Sequence, residues 1–192
     1  MTQLAAPLQP VVRQLDWTIE RYHHAIEMGV LTEDDRIELL NGILVKKMSI
    51  GEQHAACVSD LIEYFMDRFG KEYKFRSKNP ITLPNDSEPE PDFIVANRIE
   101  DNYRTGHPTP KDIHLVIEVS ENTLDQDRKW KSRIYAAASL PEYWIINLKN
   151  RQLELHLQPA EDGTYGTVQH FKEDSSFTSP FVGEVAVADL LP

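Results

Sequence analysis

Apolar residues recur along this chain with two different periods, and the points where the period changes divide it into elements. Residues 18–28 carry a short helical pattern, with Asp16 or Thr18 as its cap and Gly29 just past its end. Residues 36–40 and 43–47 then read as strands on either side of Asn41-Gly42, a dipeptide that supplies the positive φ angles of a two-residue hairpin turn. Ala55, Val58, Leu61, Ile62, Phe65 and Phe69 follow at helical spacing and Gly70 stops the run, which predicts a first long helix over 52–69. Short strands are expected at 73–77, 81–83 and 93–96, separated by Pro80, Pro84 and the acidic turn Asn85-Asp86-Ser87-Glu88-Pro89-Glu90-Pro91. Residues 99–112 are polar and contain Gly106, Pro108 and Pro110, the mark of a surface loop.

The most apolar segment, 113–119 (IHLVIEV), predicts a central strand with Glu118 near its C-terminal end. A helix over about 125–138 and strands at 143–148 and 153–157 come next, and the pattern beyond Asp162-Gly163 predicts added C-terminal strands. No repeat or low-complexity linker interrupts the series, so one domain over 1–192 is expected, with its core over about 17–157.

Composition narrows the setting. The chain has 192 residues, 41% of them hydrophobic and 27% charged, the profile of a soluble globular domain, and no apolar run approaches the roughly 20 residues of a membrane span. The N-terminal MTQLAAPLQPVVRQLDW has no basic start followed by a long apolar stretch, so no secretory signal is expected. One cysteine, Cys57, falls within helical spacing, which suits a small buried thiol and a reducing, cytoplasmic compartment. The net charge of −11 weighs against nucleic-acid binding, which rests on neutralising phosphates. Bound metal ions and local basic strips, such as those at 71–78 (KEYKFRSK) and 128–133 (RKWKSR), offset it, although either strip is equally a solvated face.

Three acids stand where burial disfavours them: Glu38 between Ile37 and Leu39, Asp92 before Phe93-Ile94-Val95, and Glu118 within Val116-Ile117-Glu118-Val119. A carboxylate in a central strand is costly unless it is paired or binds metal. Glu38 is also compatible with a strand residue facing water, and Asp92 with a turn cap after Pro91; Glu118 is harder to explain that way, because its strand is apolar on both faces. Hard cations such as Mg²⁺ or Mn²⁺ take oxygen ligands from one or two carboxylates. The seven histidines show no paired ligand spacing, and neither a GxSxG elbow nor a GxxxxGK[ST] loop occurs.

The helix after Glu118 adds a cation. At about 100° per residue, Trp130, Ile134, Ala137 and Ala138 form its apolar face, with Asp127 inside that face and Lys131 at its edge, while Lys129 and Arg133 point away. Lys131 is thus the lysine placed to turn inward and stabilise charge on a phosphate, or to pair with Asp127 on the surface. Tyr135 continues the stripe, either as a donor to the same site or as a packing residue.

Glu38, Pro91-Asp92, and Glu118-Val119-Ser120 followed by Lys131 together resemble the PD-(D/E)XK nuclease superfamily. The strings Ile37-Glu38-Leu39-Leu40-Asn41-Gly42, Glu90-Pro91-Asp92, Glu118-Val119-Ser120-Glu121-Asn122-Thr123, Asp127-Arg128 and Pro141-Glu142-Tyr143-Trp144 look more closely like the Uma-two family of restriction endonucleases. The resemblance implies a mixed α/β, restriction-endonuclease-like core, with a central mixed sheet flanked by helices, and often a homodimer. It also implies hydrolysis of nucleic acid, DNA being the expected substrate, with Asp92 and Glu118 holding Mg²⁺ or Mn²⁺, Glu38 completing the site and Lys131 assisting. The superfamily's usual lysine position is Ser120 here, which the resemblance makes a neutral site-lining residue while the lysine moves to position 131. His54, in Glu52-Gln53-His54, matches a family position opening the long helix, and Asp127 and Tyr135 complete the candidate lining. The alternative is a protein on the same fold that binds nucleic acid or a partner without turnover.

Overall fold

Each strand at the centre of the molecule alternates its side chains between two apolar layers, and that alternation sets which residues reach the functional cleft. The computed structural model describes residues 15–192; the proline-containing lead, and most of the stretch expected to lack a signal, lie outside the described residues. The chain begins with α1 (Ile19–Glu27), capped by the Thr18 side chain as expected, and the hairpin β1 (Ile37–Leu40) and β2 (Ile43–Lys46). Asn41 and Gly42 have φ of 50° and 74° at its turn, and a side chain on Gly42 would press on the Trp17 carbonyl at 3.2 Å. The long helix α2 (Glu52–Phe69) matches its predicted span and ends at Gly70.

Six strands then form one mixed sheet in the order β3-β4-β5-β6-β7-β8: β3 (Lys74–Arg76), β4 (Phe93–Ala96), β5 (Ile113–Ser120), β6 (Glu142–Asn147), β7 (Gln152–Pro159) and β8 (Tyr165–Lys172). Only β5 and β6 run parallel, and the connection between them is the helical segment α3 (124–137). The added C-terminal strands divide: β8 extends the sheet, whereas β9 (Ser176–Ser179) and β10 (Gly183–Ala186) form a separate hairpin. Residues 81–83, expected as a strand, make only an isolated bridge from Leu83 to Ser87, because Pro80 and Pro84 flank a segment too short to enter a ladder.

On one face of the sheet, Phe93, Val95, Leu115, Ile117, Val119, Trp144 and Ile146 pack against Cys57, Leu61 and Phe65 of α2 and against Phe177, Val182 and Val185 of the C-terminal hairpin. Phe65 lies 5.0 Å from Phe93 and 6.2 Å from Trp144, ring centre to ring centre, and each such buried aromatic contributes on the order of 2–3 kcal/mol. On the other face Ile94, Val116, Tyr143 and Ile145 meet Ile134, Tyr135 and Ala136 of α3. Glu118 shares that second face with Val116.

α3 is not the uniform helix expected over 125–138. It runs from Leu124–Gln126 through a π-helical turn, Asp127–Lys131, into Ser132–Ala137, and the Ser132 N–H bonds the Asp127 carbonyl five residues back. The wider turn rotates the buried stripe away from the one that ideal α-spacing predicts. Asp127, Lys131 and Tyr135 all point inward, Trp130 is half-buried, and Ala137 is exposed.

Candidate active site

The sheet brings Asp92 and Glu118 together by register. Phe93 on β4 opposes Ile117 on β5, so Asp92, one residue earlier, falls opposite Glu118 at the end of the neighbouring strand. Pro91 and the preceding acidic turn stop β4 there, leaving Asp92 at its mouth. The Asp92 side chain is fixed on one oxygen: Oδ2 accepts from the Val119 backbone N–H at 2.7 Å and lies 3.0 Å from His54 Nε2. Burial first, and Lys78 second, push the His54 imidazole down to about 4, so near neutral pH it is an uncharged donor to Asp92. His54 therefore touches an acid of the site directly, from the first turn of α2.

Glu118 is 3% exposed, and one of its oxygens, Oε1, accepts from Tyr135 Oη at 2.7 Å and from Lys131 Nζ at 3.0 Å. Burial pushes its carboxyl up to about 7, against the pull of Lys131. Burial works the other way on Lys131, but the carboxylates of Glu118, Glu38 and Asp127 outweigh it and hold the ammonium above its ordinary value. Glu38, on β1, approaches Lys131 at 3.7 Å and accepts the Glu90 backbone N–H at 3.2 Å. Lys131 is thus shared by two glutamates rather than paired with Asp127, while Lys129 lies in solvent beside Asp125.

Glu38, Asp92, Glu118 and Lys131 line one cleft of about 340 Å³, together with His54, Asp127 and residues 47–51 between β2 and α2. Ser120 and Tyr135, expected in the lining, are buried behind its wall and act through neighbours: Ser120 Oγ bonds Asp127 Oδ2 at 2.5 Å, and Tyr135 bonds Glu118. The reason is the inward stripe of the π turn, which puts Asp127 between Ser120 and the cleft. Thr123 Oγ1 also donates to Asp127 Oδ2, at 2.7 Å.

Lys78 is the residue that sequence reasoning missed. It lies in the cleft wall and donates to Asp92 Oδ1. The only local signal was the basic strip 71–78, which does not distinguish Lys78 from the exposed Lys71. Among the described residues no three His, Cys, Asp or Glu side chains are gathered as a metal-ligand group. Here the ammonium groups of Lys78 and Lys131 neutralise the acids instead. The donor set nevertheless fits a hard cation, since three carboxylates face one cleft and no hydrogen bond among the described residues engages Glu118 Oε2 or Glu38 Oε1.

Among the described residues no helix is long and apolar enough to cross a membrane. A model of the Uma2 family, described as putative restriction endonuclease, matches residues 19–188. No curated protein matches the chain. Among solved structures, the chain is similar to a putative nuclease belonging to DUF820 from Anabaena variabilis ATCC 29413, with a TM-score of 0.66 and 16% identity over 86% of this chain and 95% of that one. At that identity the likeness speaks for the fold, which is mixed α/β with a restriction-endonuclease-like arrangement of sheet and helices.

Proposed function

The chain belongs to the Uma2 family, and on that premise we propose that it is a divalent-metal-dependent endonuclease that hydrolyses phosphodiester bonds of DNA. One observation carries the reading: Asp92 and Glu118 stand opposite each other at adjoining strand ends and open, with Glu38 and Lys131, into a single cleft. Asp92, Glu118 and Glu38 would hold Mg²⁺ or Mn²⁺ through carboxylate oxygens. When bound, the ion supplies positive charge against the reacting phosphate and makes a water more acidic.

The remaining work belongs to the chain's own groups. The Val119 N–H and His54 fix the Asp92 carboxylate, so its position does not have to be organised during reaction. Tyr135 and Lys131 hold Glu118 Oε1 and leave Oε2 as the oxygen that would serve a bound ion. Lys131 is not a metal ligand; its ammonium stays charged and stabilises the negative charge that builds on the phosphate. Ser120 and Thr123 orient Asp127, whose negative charge helps to keep Lys131 charged.

The same proposal takes the chain as one nuclease domain, cytoplasmic and homodimeric, with the buried free Cys57 suiting a reducing compartment and the dimer resting on the family resemblance. A second reading, a nucleic-acid-binding protein without turnover, is favoured by the lysine contacts to Asp92 and Glu118. Incubation with plasmid and oligonucleotides in Mg²⁺ or Mn²⁺ separates the two. Metal-dependent cleavage by the wild type, lost in Asp92→Ala, is the expected result. Binding without cleavage in either metal would establish the second reading.

A further inference from the structure

Lys78 has a backbone conformation that lysine does not favour. Its φ is 53°, in the left-handed region, and its N–H bonds the Pro91 carbonyl at 3.1 Å, so the residue is clamped beside the start of β4. The clamp aims the side chain at Asp92 Oδ1, the one oxygen that the Val119 N–H and His54 leave over. The side chain is 35% exposed and the Asp92 side chain 7%, so the lysine reaches a buried acid from the cleft. Glu118, Glu38 and Glu90 face the same ammonium, and Lys131 repels it.

A buried carboxylate without a counter-charge is costly. Lys78 meets that need while the cleft holds no other cation, but it does so on the oxygen a divalent ion would have to share. The geometry points to Lys78 as a displaceable counter-cation that competes with the divalent ion for Asp92, and whose release is favoured when a substrate phosphate offers it another anionic partner. This rests on the metal-dependent function proposed above. By linkage, metal and nucleic acid then tighten each other's binding, and Lys78 carries much of that coupling. Metal uptake in the absence of substrate stays weak, which ties assembly of the site to the presence of DNA.

The test is Mn²⁺ affinity by calorimetry, with and without an uncleavable phosphorothioate DNA duplex, for wild type, Lys78→Met, Lys78→Gly, Lys78→Arg and Lys47→Met. Lys78→Gly keeps the test sound if the methionine variant folds poorly, because glycine accepts the positive φ. Lys47 lines the same cleft but pairs with Glu90 at 2.6 Å, so it controls for generic loss of positive charge. Without DNA, Lys78→Met and Lys78→Gly should bind Mn²⁺ about tenfold more tightly than wild type, and Lys78→Arg and Lys47→Met within about threefold of it. The gain on adding DNA should be large in wild type and much reduced in the two neutral variants. Equal Mn²⁺ affinity in wild type and Lys78→Gly, or an equal gain from DNA in both, overturns the inference and leaves the metal site standing. Absence of Mn²⁺ binding in the wild type overturns the metal-dependent function itself, and the inference with it.

Discussion

Two glutamates are buried on the same face of the sheet, two strands apart, and they are held in opposite ways. Glu154 on β7 is 1% exposed and receives Arg128 through a double contact, Nε at 2.8 Å and Nη2 at 2.5 Å from Oε1, with His156 3.7 Å from its other oxygen. Burial would raise its carboxyl, but His156 and the Arg128 fork outweigh burial and hold it below the ordinary glutamate value. Glu118 on β5 has one lysine and one tyrosine, both on the same oxygen, and its carboxyl is pushed up to about 7. Glu154 has both oxygens engaged by Arg128 and serves as a tie between strand and helix. Glu118 keeps an oxygen in reserve, and an unfilled acid at a cleft is the one that can take a cation.

The contrast breaks most visibly if the two glutamates are neutralised in parallel. Glu118→Gln should lower metal-dependent cleavage by about a hundredfold or more and weaken Mn²⁺ binding, with thermal unfolding close to wild type, because the amide keeps the shape and an oxygen that accepts from Tyr135 and Lys131 but loses the charge that holds a hard cation. Cleavage at the wild-type rate in that variant would make Glu118 another structural acid. Lys131→Met should cost about a hundredfold in turnover at saturating substrate with Mn²⁺ affinity largely kept, whereas Lys129→Met, in solvent beside Asp125, should be nearly silent. Glu154→Gln should do the reverse of Glu118→Gln, lowering stability by roughly 1–3 kcal/mol in denaturant unfolding while Mn²⁺ affinity is unchanged.

The smallest expected effect is on pH dependence. His54 is held neutral, its value lowered from 6.5 to about 4 by burial and Lys78. A depressed folded value means that the contribution to stability is present above 6.5 and is lost as the pH falls toward 4. His54→Gln should therefore flatten the decline in stability across that window, on the order of 1 kcal/mol, and an unchanged decline would assign the acid sensitivity elsewhere.

Much of this contrast was legible in the residues. Glu118 declared itself because an acid in IHLVIEV has no polar face to hide on, and Asp92 because Pro91 ends one segment and an apolar run begins the next. The hairpin and α2 were legible for the same reason: Asn41-Gly42 and the Ala55-to-Phe69 spacing are local signals that tertiary packing did not override. Lys131 was found with an α-helical wheel that misplaced its neighbours, since Ala137 is exposed and Trp130 half-buried. Lys78 was invisible because what matters about it is a positive φ and a carboxylate 14 residues away across a turn. Ser120 and Tyr135 were singled out as lining residues, but sequence spacing does not tell a wall from what stands behind it.

The π turn gives α3 one residue more than a regular helix needs to span the same distance. Asp127, Lys131 and Tyr135 keep their shared inward stripe through that surplus residue, so the helix is sensitive to its length in a way that its composition does not show. Removing the solvent-facing Lys129 from the turn would leave a better-formed α-helix and advance everything on its N-terminal side by about 100° relative to Tyr135. Asp127 would leave Ser120, and the cleft would lose its inner wall without a single functional side chain having been altered. For this segment the protected quantity is the number of residues between Glu118 and Tyr135, and an in-frame loss of one codon is a larger change than most substitutions within it.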